Sequence, residues 1–193
     1  MNDKTLRVLE YNKIIEKLIE KTESSLGGEL ASKLIPTSNY EEIKHIQDET
    51  NEAVSLLLKR GSPPLGGIHD VLAEVKRAEI GGILSPAGLL KIADTLRASR
   101  RIKNYLKQEK DENDSNYPIL ENMIGSLNSY RDIEEEIFNA IVSEEEISDG
   151  ASSTLRSIRR QIQVKNDNIR TKLNSVINST ANRKYLQDAL ITI

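Results

Sequence analysis

The sequence predicts an all-α fold: a multi-helix core, then one long extended helix, with the start of a truncated β-strand at the C-terminus. Three observations predict it. Apolar residues recur at intervals of three and four through most of the 193 residues. Helix-starting serines and helix-ending glycines or prolines punctuate that pattern. Aromatic residues are only 4% of the chain, with no tryptophan and the single phenylalanine Phe138. Leucine, isoleucine, lysine, glutamate and asparagine dominate instead, a composition suited to packed or extended helices rather than to an aromatic-lined pocket.

The elements follow in order. Ile14, Ile15, Leu18 and Ile19 share one face of a first helix over Tyr11 to Lys21. Ser24 or Ser25 starts a second, which holds Leu26, Leu30 and Leu34 and stops before Pro36. Ser38-Asn39-Tyr40-Glu41 has the S-x-x-E form of a capping box. Behind it Ile43, Ile46, Ala53, Val54, Leu57 and Leu58 mark a helix of about twenty residues that ends at Gly61. A short helix around Asp70 to Arg77 comes next. Ser85-Pro86 then supplies an N-cap and a first-turn proline, whose missing amide hydrogen costs nothing there. The helix it opens carries Leu89, Leu90, Ile92, Ala93, Leu96, Ile102 and Leu106 and runs to Lys107. Gln108 to Asn116 reads as an exposed loop, and shorter helices are expected near Tyr117 to Ile124 and Tyr130 to Val142.

From Ala151 the pattern changes. Leu155, Ile158, Ile162, Ile169, Leu173 and Val176 form a narrow seam, interrupted by Lys165 and Asn166, over a stretch without glycine or proline. A helix of about 40 Å with so thin a seam reads as an arm or a coiled-coil partner. A last helical turn near Arg183 to Asp188 leads to Ala189-Leu190-Ile191-Thr192-Ile193, which reads as a strand without a partner. The expected organisation is therefore a helical core over residues 1–150, the long helix over 151–180, and a return turn with the start of a strand over 181–193.

Charge is unevenly distributed along a chain whose formal net charge is −3. From Ile133 to Gly150 there are seven acids and no base; from Ala151 to Asn178 there are six bases and one acid, Asp167. Zero cysteines exclude disulfides, thiolate metal sites and a cysteine nucleophile. No apolar run approaches the ~20 residues that cross a bilayer, and no secretory leader is recognisable, so a cytoplasmic protein is expected.

Candidate chemistry is sparse. Gly66-Gly67 and Gly81-Gly82 are the least interchangeable residues: five of the ten glycines lie between Gly61 and Gly82. Neither pair is followed by Lys-Ser or Lys-Thr, so neither is a phosphate loop, and turns around a short helix are the reading they support. Gly27-Gly28 reads as a site of close helix packing. His45 and His69 lack the spacing of a metal pair, and His69 beside Asp70 has no nucleophile marked nearby. Glu134-Glu135-Glu136 and Glu144-Glu145-Glu146 read as solvated faces. No catalytic, cofactor or metal residue is assigned.

The basic residues carry more content. The helix from Pro86 has Lys91, Arg97, Arg100, Arg101, Lys103 and Lys107; the long helix has Arg156, Arg159, Arg160, Lys165, Arg170 and Lys172. Arg156, Arg159, Arg160 and Lys165 are expected close to one side, and such a stripe is what phosphate contacts require. The competing reading is a solvated face. Only Tyr105 could stack on a base, so backbone contact is the most this pattern licenses.

Four segments give a family resemblance. Lys4-Thr5-Leu6-Arg7-Val8-Leu9-Glu10-Tyr11, Pro64-Leu65-Gly66-Gly67-Ile68-His69-Asp70, Lys76 through Pro86, and Lys184-Tyr185-Leu186-Gln187-Asp188 resemble the N-terminal region of the second bacterial MutS branch, the MutS-II proteins. The resemblance implies a helical core with the long helix as a lever toward a clamp, in a dimeric ATPase without mismatch-reading or connector domains. Consistently, Phe138 is followed by Asn139-Ala140 rather than by a Phe-x-Glu reading motif. It also implies that ATP and Mg sites, and in many members a nuclease-like Smr domain, lie beyond Ile193. Expected partners are branched DNA, in suppressing recombination, or the ribosome and its rRNA, in rescue; the full-length protein is expected to be a homodimer. The rival class is a helical dimerisation module without nucleic-acid binding. Neither makes this stretch an enzyme by itself.

Overall fold

Helix starts and stops are set by side chains that satisfy the orphan amides and carbonyls of each end. The computed structural model describes residues 3–107, 117–183 and 185. Among them the regular structure is helical: α1 (Asp3–Val8), α2 (Tyr11–Ile19), α3 (Ser25–Ser32), α4 (Tyr40–Arg60), α5 (Leu72–Glu79), α6 (Pro86–Lys107), α7 (Pro118–Gly125), α8 (Arg131–Ala140), α9 (Ser153–Asn178) and α10 (Thr180–Arg183). The expected loop over 108–116 and the terminal strand over 189–193 lie outside the described residues, as does the end of the expected turn at 183–188. The all-α fold with one long helix is what the structure shows. The α1 helix, which the sequence pattern did not mark, precedes α2.

Ser24 caps α3, its hydroxyl accepting from the Gly27 amide at 3.1 Å. Ser85 Oγ accepts from Gly88 N at 3.2 Å at the head of α6, and Ser152 caps α9 through the Leu155 amide at 3.4 Å. The expected Ser38/Glu41 box does not form. Asn39 is the N-cap of α4, and its Oδ1 accepts from Glu41 N and Glu42 N at 3.2 and 3.5 Å. The register is one residue later than the S-x-x-E reading because the shorter Asn side chain reaches those amides directly. Glu42 turns outward to accept from the Thr37 hydroxyl at 2.8 Å.

The chain divides into two compact units, residues 1–146 and 147–193. In the first, α2 packs on α1 and α3, α4 on α7, and α6 on α5, α7 and α8. The core is Leu56 of α4, Tyr105 and Leu106 of α6, and Tyr117, with Leu120 and Ile124 of α7 against it. Ala93 and Ala98, wholly buried on α6, have no bulk to hold another helix away.

Polar ties join the same helices end to end. Arg60 Nη1 donates to the Tyr105 and Leu106 carbonyls at 2.8 and 3.0 Å, closing the last turn of α6. The Tyr105 hydroxyl donates to the Gly61 carbonyl at 2.6 Å. Burial raises the Tyr105 phenol above its ordinary range. Glu52 of α4 accepts from the Ile119 and Leu120 amides, each at 3.0 Å, placing a carboxylate at the positive end of α7.

The glycine pairs are turns, as their sequence context indicates. Gly81 has φ +76°; its amide donates to Ala78 O at 2.9 Å, and the Gly82 amide to Arg77 O at 2.8 Å. These two bonds form a Schellman close to α5. Gly67, at φ +90°, lets its loop lie against α6, where a Cβ would stand 3.5 Å from Asp94 O. The Thr95 hydroxyl accepts from the His69 amide at 3.1 Å and fixes that loop.

The second unit holds α9 and α10, which pack on each other. None of the residues of α9 is buried.

Candidate nucleic-acid interface

The two basic helices differ in what their cations do. On α6, Arg97 Nη2 donates to Asp94 Oδ1 at 2.6 Å, and its guanidinium lies 4.0 Å above the centre of the Phe138 ring. Arg100 Nε and Nη2 donate to the two oxygens of Glu134 at 2.9 and 2.7 Å. Lys103 donates to the Leu127 carbonyl. Half of the α6 cations are therefore spent on the interior, while Lys91, Arg101 and Lys107 are exposed.

Glu134 corrects the reading of the acidic run as a solvated face. Its side chain is 6% exposed, because the α8 position that it occupies faces α6. The Arg100 hydrogen bonds hold its carboxyl below the usual carboxylate range against the opposing effect of burial. They raise Arg100 in turn. Glu135, the next residue, instead accepts from Arg131 Nε at 2.6 Å one turn away on the exposed side.

On α9, two of the six candidate residues tie down the turn before their own helix. Arg156 Nε donates to the Asp149 carbonyl at 3.2 Å. Arg159 Nη1 donates to the Ile147 carbonyl at 2.8 Å and pairs with the Asp149 carboxylate. Among the described residues Arg160, Lys165, Arg170 and Lys172 make no ion pair. Asp167 accepts from Gln163 Nε2 at 3.3 Å.

Helix geometry also sorts these residues by face. At about 100° per residue, Arg156, Arg160 and Arg170 fall within roughly 80° of one another, whereas Lys165 lies about 180° from Arg156 and Lys172 close to Lys165. The expectation that Lys165 shares a side with Arg156 is corrected by the unbroken helix from Ser153 to Asn178. Arg156, Arg160 and Arg170 form one cationic face. Lys165 and Lys172 border the apolar seam.

The histidines sit apart from this surface. His45 Nε2 is 3.2 Å from Glu49 Oε1, and His69 Nε2 is 3.8 Å from Asp94 Oδ2 rather than paired with its neighbour Asp70. Among the described residues no group of three or more His, Asp or Glu is placed to hold a metal ion. No helix is long and apolar enough to cross a membrane. The sequence pattern missed the role of Asp149; its position beside Gly150, ahead of an arginine-rich first turn, was the available signal.

No family model matches the chain. Individual relatives do, along its whole length. It is 55% identical over 193 residues to the Endonuclease MutS2 of Clostridioides difficile (strain 630) and 53% identical to that of Alkaliphilus oremlandii (strain OhILAs). It is 44% identical to that of Bacillus cereus (strain B4264). In each case all of this chain is covered, against 24% of the relative. The chain therefore spans about a quarter of the length of the curated relatives it matches. Identity of this level over every residue, with the double-glycine turns and the long basic helix, places the chain in the MutS2 family, corresponding to the N-terminal quarter of its members.

Proposed function

We propose that this region engages the phosphate backbone of a nucleic acid, branched DNA or ribosomal RNA, on behalf of a MutS2-type machine. The single observation that supports this is α9, a helix with six bases and one acid on which Arg160 and Arg170 have no ion-pair partner among the described residues. Arg156 stands on the same face and uses only one of its five N–H donors on the protein. Without an aromatic side chain, α9 has no stacking surface, so its contacts are to phosphate and carry no base sequence.

Hydrolytic chemistry belongs elsewhere in this reading. The relatives are named endonucleases, and the nuclease and the ATP- and Mg-dependent steps are assigned to parts of the polypeptide outside residues 1–193. The core around α6 and α8 passes motion between those parts and α9, in a homodimer of the full-length protein working in the cytoplasm.

The test is binding of the full-length protein to a four-way DNA junction and to ribosomes across a salt series. In the Arg160→Glu, Arg170→Glu double variant the log–log salt slope on the target should fall by about 2, one per lost phosphate contact. An unchanged slope with unchanged affinity places the contact elsewhere.

A further inference from the structure

The apolar seam of α9 has a register that says what can cover it. Leu155, Ile162, Ile169 and Val176 stand seven residues apart, and Ile162 and Ile169 are 54% and 52% exposed. Three residues after the first three of these come Ile158, Lys165 and Lys172, again seven apart. In heptad terms one column of the seam is wholly apolar, and the other turns from isoleucine to lysine after its first position. Neither lysine has an ion pair among the described residues. A lone helix with an exposed apolar seam gains little from its own hydrogen bonds, so its stability depends on a cover.

A second copy of α9 is a poor cover. A parallel copy sets Lys165 against Lys165 and Lys172 against Lys172. An antiparallel copy brings four lysines into the seam with no carboxylate opposite, because the one acid of α9, Asp167, lies about 150° around the helix from the seam. Nucleic acid cannot cover four aliphatic side chains without losing water contacts on its phosphates. An amphipathic helix with two carboxylates seven residues apart meets both demands at once: it buries the apolar column and neutralises each lysine.

We propose that the α9 seam is covered by such an acid-edged helix from the same polypeptide beyond residue 193, with Lys165 and Lys172 fixing its register. The relatives are about four times the length of this chain, and a tethered helix acts at an effective concentration in the mM range that a free partner rarely reaches. The proposal is independent of phosphate binding, which uses the opposite face of α9.

A photo-crosslinking residue placed at Asn166 in the full-length protein tests it, with cross-linked peptides identified by mass spectrometry and a mixture of isotopically labelled and unlabelled protein separating intra- from intermolecular products. The expected product is intramolecular, to a segment beyond residue 193 with acids seven apart. Its yield should drop about threefold or more in Lys165→Glu, Lys172→Glu, where two attractive pairs become repulsive, and return when the two facing acids are changed to lysine. Should the double variant unfold, judged by circular dichroism, Lys172→Glu alone is read the same way with a smaller drop. A product between labelled and unlabelled copies, a product with residues 1–146 or with nucleic acid, no product, or a yield indifferent to the charge reversal each overturns the proposal.

Discussion

Arg100 and Glu134 lock α6 to α8 through two parallel hydrogen bonds of 2.9 and 2.7 Å between guanidinium and carboxylate. The bidentate geometry leaves the side-chain oxygens of Glu134 satisfied although its residue is 4% exposed. It also brings the aromatic ring of Phe138, one turn further along α8, under Arg97. The pair sits where the two helices are in closest register, beside the wholly buried Ala98.

Removing one partner should therefore cost more than an exposed ion pair would. In Glu134→Gln the shape is kept, but one bond is lost and the guanidinium keeps its charge against a neutral amide. Arg100 is 32% exposed, so water recovers part of the loss. The expected destabilisation is about 2 kcal/mol, between the value of a surface pair and that of a fully buried one. Urea unfolding followed by circular dichroism would measure it. Glu135→Gln, one residue away on the exposed Arg131 pair, should change stability by less than about 0.5 kcal/mol.

The same pair predicts an acid limb. The folded-state carboxyl of Glu134 titrates below its unfolded value, chiefly because it accepts two bonds from Arg100. Its stabilising contribution is complete above the unfolded pKa and is lost as pH falls through the folded one. The difference in unfolding free energy between the parent chain and Glu134→Gln should be constant near neutrality. It should shrink progressively below the ordinary glutamate range. A difference that grows on acidification contradicts the assignment.

The double-glycine turns separate into a position that needs glycine and one that does not. A Cβ on Gly82 would stand 2.8 Å from the Arg77 carbonyl oxygen and 2.7 Å from Arg77 Cγ. Since that carbonyl accepts the closing bond of α5, it cannot retreat without opening the turn. A Cβ on Gly66 meets nothing within 4 Å, and Gly66 is not among the positive-φ glycines. Gly82→Ala should destabilise by about 1–3 kcal/mol, whereas Gly66→Ala should be neutral or stabilise by up to about 1 kcal/mol through the unfolded chain. Thermal unfolding of the two variants side by side decides this.

Much of the helical architecture is legible in the sequence because it rests on local signals. Ser24, Ser85, Ser152 and Gly61 mark helix ends that the structure reproduces, and three- and four-residue periodicity places α4, α6 and α9. The capping of α4 shifted by one residue because two adjacent residues, Ser38 and Asn39, can both cap and local spacing does not rank them. What the sequence could not show is partnership across distance. Whether Arg100 is a free cation or half of a buried pair depends on Glu134, 34 residues away. Whether Glu52 is a surface acid or the cap of α7 depends on residues 67 and 68 positions later. The basic stripe on α9 dissolved into two faces for a simpler reason: proximity in sequence does not equal proximity around a helix, and only the angular position of Lys165 separates it from Arg156.

Asp149 offers the sharpest test of how α9 meets a polyanion. Its carboxylate pairs with Arg159 and its carbonyl accepts from Arg156 Nε, so it both anchors the turn and neutralises one cation at the head of the helix. Asp149→Asn keeps the size of the side chain and the carbonyl contact but frees the Arg159 charge. If the head of α9 lies against phosphate, affinity for a DNA junction or for rRNA in the full-length protein should rise at low salt. The salt slope should then steepen by up to about 1, one more counterion released. Arg159→Gln in the same background should return both quantities to the parent values, since the gain works through that guanidinium. A variant that binds more tightly with an unchanged slope would point to loosening of the turn rather than to a freed charge, and one that binds no differently would leave the head of α9 outside the contact.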